Sequence, residues 1–210
     1  MATPDTASDT ASEAELTSKD KQAVTRYNNV AIILHWVIGI AIIGMLCSGF
    51  AMAYLDLDRS LIFQIIQWHK AFGVLILLAV GLRILWRIWS WRRGEIPPLP
   101  DKFPKLENLA AHLGHIGLYV AMLAMPLSGW VMVSSSPYGL PTLVFGYTWP
   151  HLPGIALNEA VNSASGAVHY WLAWGLVALL VGHIGAVIKH RLMDNENLLT
   201  RIWWTKTTDT

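Results

Sequence analysis

Eight histidines stand in this 210-residue chain: His35, His69, His112, His115, His151, His169, His183 and His190. Four of them, His35, His69, His169 and His183, fall inside long apolar runs. An imidazole is costly in hydrocarbon and marks a functional site there by default. Its ring nitrogens bind metals or move protons. His169 and His183 share one run and are 14 residues apart. On one helix that spacing is ~21 Å along the axis, with the two rings pointing the same way to within ~40°. His35 lies about five residues into the first run, and His69 about eight into the second, which crosses in the opposite sense. His35 and His183 therefore share the inner level, while His69 and His169 share the outer one. Two facing histidines at each of two levels suit two bis-histidine haems stacked across a membrane. One copper or zinc ion cannot collect all four across ~21 Å. A His-lined proton or metal transporter is the other reading, although no carboxylate occupies the central part of any run.

The elements that hold these histidines are four apolar runs, at residues 30–55, 61–89, 109–133 and 164–189. Each is near or above the ~20 residues that a helix needs to cross ~30 Å of hydrocarbon. None alternates with the two-residue period of a membrane strand. The expected fold is all-α, an integral membrane four-helix bundle. Composition agrees: 54% of residues are hydrophobic and only 14% charged, with a mean hydropathy of +0.42. Soluble domains carry about a quarter charged residues. A net charge of +1 offers no basic surplus for nucleic acid. The single cysteine, Cys47, excludes a disulfide framework, Cys-rich zinc sites and Cys-ligated iron–sulfur clusters, and no C-x-x-C-H stretch exists for covalent haem. Thirteen of fifteen Lys and Arg fall on one side of the expected helices, the exceptions being Arg59 and Lys70. The positive-inside rule then puts both termini in the cytoplasm. Residues 1–25 are polar and free of aromatics, which reads as a disordered tail. A membrane domain follows over 26–203, and a short tail over 204–210.

Around the histidines the chain reads LHW at His35, QWHKAFG at His69, AHLGHIGLY across His112 and His115, and H-x13-H from His169 to His183. It then ends in KHRLMDNENLLTRIW. In this order and spacing the motifs resemble the bacterial cytochrome b561 family, over about residues 25–203. The resemblance implies a multi-pass protein of the bacterial inner membrane with two haem b groups, ligated by His35, His69, His169 and His183. It also implies electron exchange with ubiquinone, and in one branch oxidation of superoxide with transfer of the electron to quinone. Where many such relatives have His-Glu, this chain has His169-Tyr170.

Side chains at the two faces complete the expectation. At the inner face His112, His115, Lys189, His190 and Arg191 are candidates to contact quinone or haem propionates, since a quinone needs donors to its carbonyls and protons on reduction. At the outer face Arg59 and Lys70 are candidates to contact an anion such as superoxide, or a propionate. Tyr138, Tyr147, Trp149 and His151, in a loop without Lys or Arg at 134–163, are placed to shield a haem edge. The expected function is a di-haem b-type cytochrome passing electrons between the ubiquinone pool and an outer-face donor or acceptor, either superoxide or a periplasmic redox partner. The competing class is the cytochrome b anchor subunit of a hydrogenase or dehydrogenase complex.

Overall fold

Asn28 starts the first helix, its side chain accepting the Ala31 N–H at 2.9 Å, as an N-cap does for one of the unpaired donors of the first turn. The computed structural model describes residues 26–98 and 103–204. The tail expected over 1–25, and all but Trp204 of that expected over 204–210, lie outside the described residues. Helix α1 spans Asn29–Tyr54, α2 Arg59–Arg92, α3 Lys105–Ser135 and α4 Glu159–Leu192. Asp58 and Asn158 cap α2 and α4 as Asn28 caps α1. All four helices are long and apolar enough to cross a membrane.

Three of the helices outrun the apolar stretches that announce them. Helices α2 and α4 have 34 residues each, ~51 Å of rise against ~30 Å of hydrocarbon. The added turns are polar, with Arg92 ending α2, Glu107 in the first turn of α3, and Lys189, His190 and Arg191 in the last turn of α4. Helix α2 stops where Gly94 adopts a left-handed φ of +68°, a conformation glycine enters without a Cβ clash. Large apolar residues such as Ile40, Leu85, Trp171 and Val181 face outward, as a bundle in lipid requires.

Helices α3 and α4 pack along each other most extensively, α1 and α2 next, whereas α1 and α4 scarcely approach backbone to backbone. The core is one apolar layer made by Ile38 and Ile42 of α1, Ile76 and Val80 of α2, Ala121 of α3 and Leu176 of α4. Leu176 lies midway between His169 and His183 in sequence. The layer thus separates the two histidine levels.

Short segments close the ends. At one end β1 (Thr142–Val144) pairs antiparallel with β2 (Tyr147–Trp149), Thr142 opposite Trp149. Phe145 and Gly146 both have positive φ, 49° and 85°, the signature of a tight two-residue hairpin turn. The hairpin packs on α2, where Lys70 Nζ donates to the Pro141 carbonyl at 2.8 Å. At the other end a 3-10 helix, Leu198–Ile202, folds back to α1. Trp36 Nε1 donates to the Ile202 carbonyl at 2.8 Å, and the Tyr27 N–H to Arg201 at 3.0 Å.

Candidate functional site

Three helices bring the four intramembrane histidines into two pairs. His35 of α1 faces His183 of α4 with ring centres 6.2 Å apart. His69 of α2 faces His169 of α4 at 6.3 Å. These rings are too far apart to stack and too close to be strangers. A metal ion holding one imidazole nitrogen on each side at ~2.0–2.1 Å sets the ring centres about 6 Å apart. Helix α4 contributes to both pairs, so its 14-residue spacing fixes the separation of the two levels.

The His69–His169 pair, the outer one in the expected orientation, is held by hydrogen bonds to its Nδ1 nitrogens. His69 Nδ1 lies 2.9 Å from Ser48 Oγ, which itself donates to the Met45 carbonyl at 2.9 Å. His169 Nδ1 lies 3.0 Å from Ser128 Oγ and 3.1 Å from the Met125 carbonyl, and Ser128 Oγ donates to that same carbonyl at 2.7 Å. A carbonyl only accepts, so Nδ1 of His169 carries the proton and Nε2 presents a lone pair. The Ser48 hydroxyl proton is likewise engaged with Met45, which makes Ser48 the acceptor and leaves His69 in the same tautomer. Hydrogen bonds of this kind are the ones that orient imidazoles at metal sites.

Glycines make room for both rings. A Cβ on Gly129 would meet His169 Cε1 at 3.2 Å and Nδ1 at 3.4 Å, and one on Gly49 would meet His69 Cε1 at 3.5 Å. Around the pair all four helices and the hairpin enclose an apolar cleft with about 1300 Å³ of atom-free space, counting its open mouth. Gly73, Pro126, Lys70, Trp149 and Tyr170 are among its lining residues. Trp149 Nε1 is shut off from solvent without a hydrogen-bond partner. A flat apolar macrocycle with carboxylate substituents suits such a cleft: the walls are mostly apolar, and Lys70, Trp149 and Tyr170 bring polar groups to the lining.

The inner pair is differently held. Arg83 Nη2 lies 3.2 Å from His35 Nδ1. A guanidinium can only donate, so this contact puts the His35 proton on Nε2. Arg83 Nε donates to Tyr119 Oη at 3.3 Å, while its Nη1 is buried without a partner. His115 of α3 stands beside His183, ring centres 5.5 Å apart, with Nδ1 donating to the Ala111 carbonyl at 2.6 Å. A half-buried arginine with one buried and unused N–H, next to the histidine pair, fits a carboxylate arriving with a ligand.

The remaining candidates are spread over several places. At the inner end of α4, Lys189 Nζ donates to Glu107 Oε1 and Asp194 Oδ2, both at 2.8 Å. His190, which is buried, approaches Asp194 Oδ2 through Nδ1 at 2.6 Å and stacks on Phe103 with ring centres 4.2 Å apart. Glu107, His190 and Asp194 offer ligand atoms within 4.8 Å of one another, but the Lys189 ammonium already supplies the cation between the carboxylates. Hydrogen bonds from Lys189 and then His190 hold the Asp194 carboxyl below its ordinary range. His112 is exposed and donates from Nδ1 to the Asn108 carbonyl at 2.8 Å. Arg59 and Arg191 are exposed, and neither has an ion-pair partner among the described residues. Of the outer cations only Lys70 lines the cleft. Tyr170 bonds Tyr54 across the α1/α4 seam, the hydroxyls 2.7 Å apart.

Sequence reading missed Ser48, Ser128 and the Arg83–His35 contact. The signal for the serines is slight: each is a hydroxyl inside an otherwise apolar run.

Comparison with known proteins bears on the whole bundle. The family described as prokaryotic cytochrome b561 matches residues 26–205. The chain is 33% identical over 178 residues to cytochrome b561 homolog 2 of Escherichia coli (strain K12), covering 84% of this chain and 90% of that protein. It is 22% identical over 180 residues to cytochrome b561 homolog 1 of the same strain, covering 85% and 97%. With the probable superoxide oxidase CybB of Yersinia pestis it shares 27% identity over 183 residues, covering 84% and 95%. With its four long apolar helices and a family match across nearly all of them, the chain belongs to the prokaryotic cytochrome b561 family of b-type haem, membrane-embedded electron-transfer proteins.

Proposed function

We propose that the protein is a di-haem cytochrome of the bacterial inner membrane, with both termini cytoplasmic, which takes electrons from superoxide at its outer face and delivers them to ubiquinone at its inner face. His69 and His169 bind the outer haem and His35 and His183 the inner one. The observation that carries this reading is the pair of ring-centre separations, 6.3 Å and 6.2 Å, at two depths of one bundle. Haem b held by these histidines would supply one-electron transfer.

The residues around each pair have separate tasks. Ser48 accepts the Nδ1 proton of His69, and Ser128 with the Met125 carbonyl holds that of His169. Both rings thereby keep an Nε2 lone pair free for a metal. Arg83 has a guanidinium to offer an inner carboxylate, and turning toward it would free His35 Nδ1 to take the proton that it lacks. The apolar layer from Ile38 to Leu176 keeps water from joining the two levels, so electrons can cross by tunnelling while protons stay on their own side.

At the outer mouth Lys70 adds a positive charge beside His69, which steers an approaching superoxide anion. At the inner end His115 and His190 are the groups suited to serve a quinone. His190, bonded to Asp194, can relay a proton to a reduced ring oxygen. Similarity to the probable superoxide oxidase CybB of Yersinia pestis also supports superoxide as donor.

Rapid mixing of the oxidised, liposome-embedded protein with superoxide tests this. The expected result is reduction of the haem absorbance followed by ubiquinol formation, with a rate that falls on Lys70→Gln and depends less on salt. No reduction by superoxide, in protein that ubiquinol does reduce, would overturn superoxide as the donor.

A further inference from the structure

Among the cleft-lining residues, Trp149 has an unsatisfied polar atom. Its indole Nε1 is buried without a partner, and the side chain lines the outer cleft beside His69 and His169. A buried N–H without an acceptor forfeits its hydration for nothing, so native structures seldom leave one unpaired. The residue is also presented deliberately. It ends β2, and its register partner Thr142 is buried and lines the same cleft. Trp130 packs edge-on against it at 5.9 Å, while the Trp130 N–H is used up on the Pro150 carbonyl at 2.9 Å. The hairpin is thus anchored by one tryptophan, while the other lines the cleft with its indole donor unpaired.

From this geometry we infer that Trp149 is a carboxylate-binding residue of the outer cleft, its indole N–H donating to a propionate of the outer haem and thereby setting that haem's potential. The inference rests on the assignment of His69 and His169 as ligands. The two propionates are the anionic part of an otherwise apolar macrocycle, and an N–H donated to one of them disperses its charge. With that donor removed, the full negative charge bears on the iron and favours the oxidised state, which carries one more positive charge. Trp149 acts on the iron only through the propionate and is a positioning residue.

The test is a redox titration of the purified, haem-loaded protein followed by its optical spectrum. The outer component is identified as the one lost in His169→Ala. Trp149→Phe is expected to keep both haems and to move the outer midpoint to a more negative value, with the inner one unmoved. Trp149→His, which restores a ring N–H, is expected to recover much of the shift. Should phenylalanine not be tolerated, Trp149→Met removes the donor while filling the volume and reads the same shift. In protein reconstituted with haem whose propionates are methyl esters, the difference between wild type and variant is expected to shrink. An outer midpoint equal to that of wild type, with both haems bound and only thermal stability lowered, would show that the indole merely packs on Trp130 and would overturn the inference. Retention of both haems in His169→Ala would instead refute the ligand assignment on which it depends.

Discussion

His69 depends for its orientation on one hydroxyl, that of Ser48, whereas His169 is held both by Ser128 and by the Met125 carbonyl. Loss of an outer-shell partner typically weakens metal binding ~10–100-fold. Ser48→Ala is therefore expected to reduce outer-haem affinity within that range, and Ser128→Ala by clearly less, when haem is titrated into the apoprotein. Equal losses would mean that the hydroxyls matter only for packing. The glycines give a second ordering. A Cβ at Gly129 would press on His169 at 3.2 Å, against 3.5 Å between Gly49 and His69, so Gly129→Ala is expected to distort the outer low-spin haem signal in electron paramagnetic resonance more than Gly49→Ala. The reverse order would contradict the cradle geometry. Spacing alone announced the four histidines, because helical rise turns sequence distance into depth. The serines could not be read the same way. Each lies on a different helix from its histidine, and each also bonds its own backbone, as membrane serines commonly do without any further role.

At the scale of elements, the inner ends of α3 and α4 are joined by Lys189 between Glu107 and Asp194. The Asp194 carboxyl is held below its usual range, first by Lys189 and then by His190. A group whose folded value is lowered stabilises the fold above its unfolded value and loses that contribution as pH falls through the folded one. Acidification below the ordinary carboxylate range is therefore expected to loosen this end of the bundle, and Asp194→Asn to lack that part of the pH dependence. Thermal unfolding followed by haem absorbance at stepped pH checks it, and identical profiles would remove Asp194 from the joint. The number and order of helices were legible in the apolar runs, because those runs report the depth of hydrocarbon. The helix ends were not, because caps such as Asn28 and Asp58 and the turn at Gly94 set them in water. The hairpin was hidden too: three-residue strands are too short to show an alternating pattern.

In the molecule as a whole, α4 serves both histidine pairs while α1 and α2 take one each, and an apolar layer lies between them. The proposed orientation, with the hairpin end in the periplasm, rests on the distribution of Lys and Arg. A single cysteine at the hairpin turn, Phe145→Cys in a Cys47→Ser background, is expected to react with a membrane-impermeant maleimide in intact spheroplasts. Labelling only after the membrane is opened would reverse the orientation and with it the superoxide face. Everything proposed about function rests on two haems held at two levels by these histidines. The most direct measurement is therefore the haem-to-protein ratio, by pyridine haemochrome, of wild type, His169→Ala and His183→Ala purified in parallel. Two haems per chain are expected in the wild type and one in each variant, with a different low-spin component missing in each. A ratio that stays at two in either variant, or a folded wild type that carries only one, would contradict the assignment.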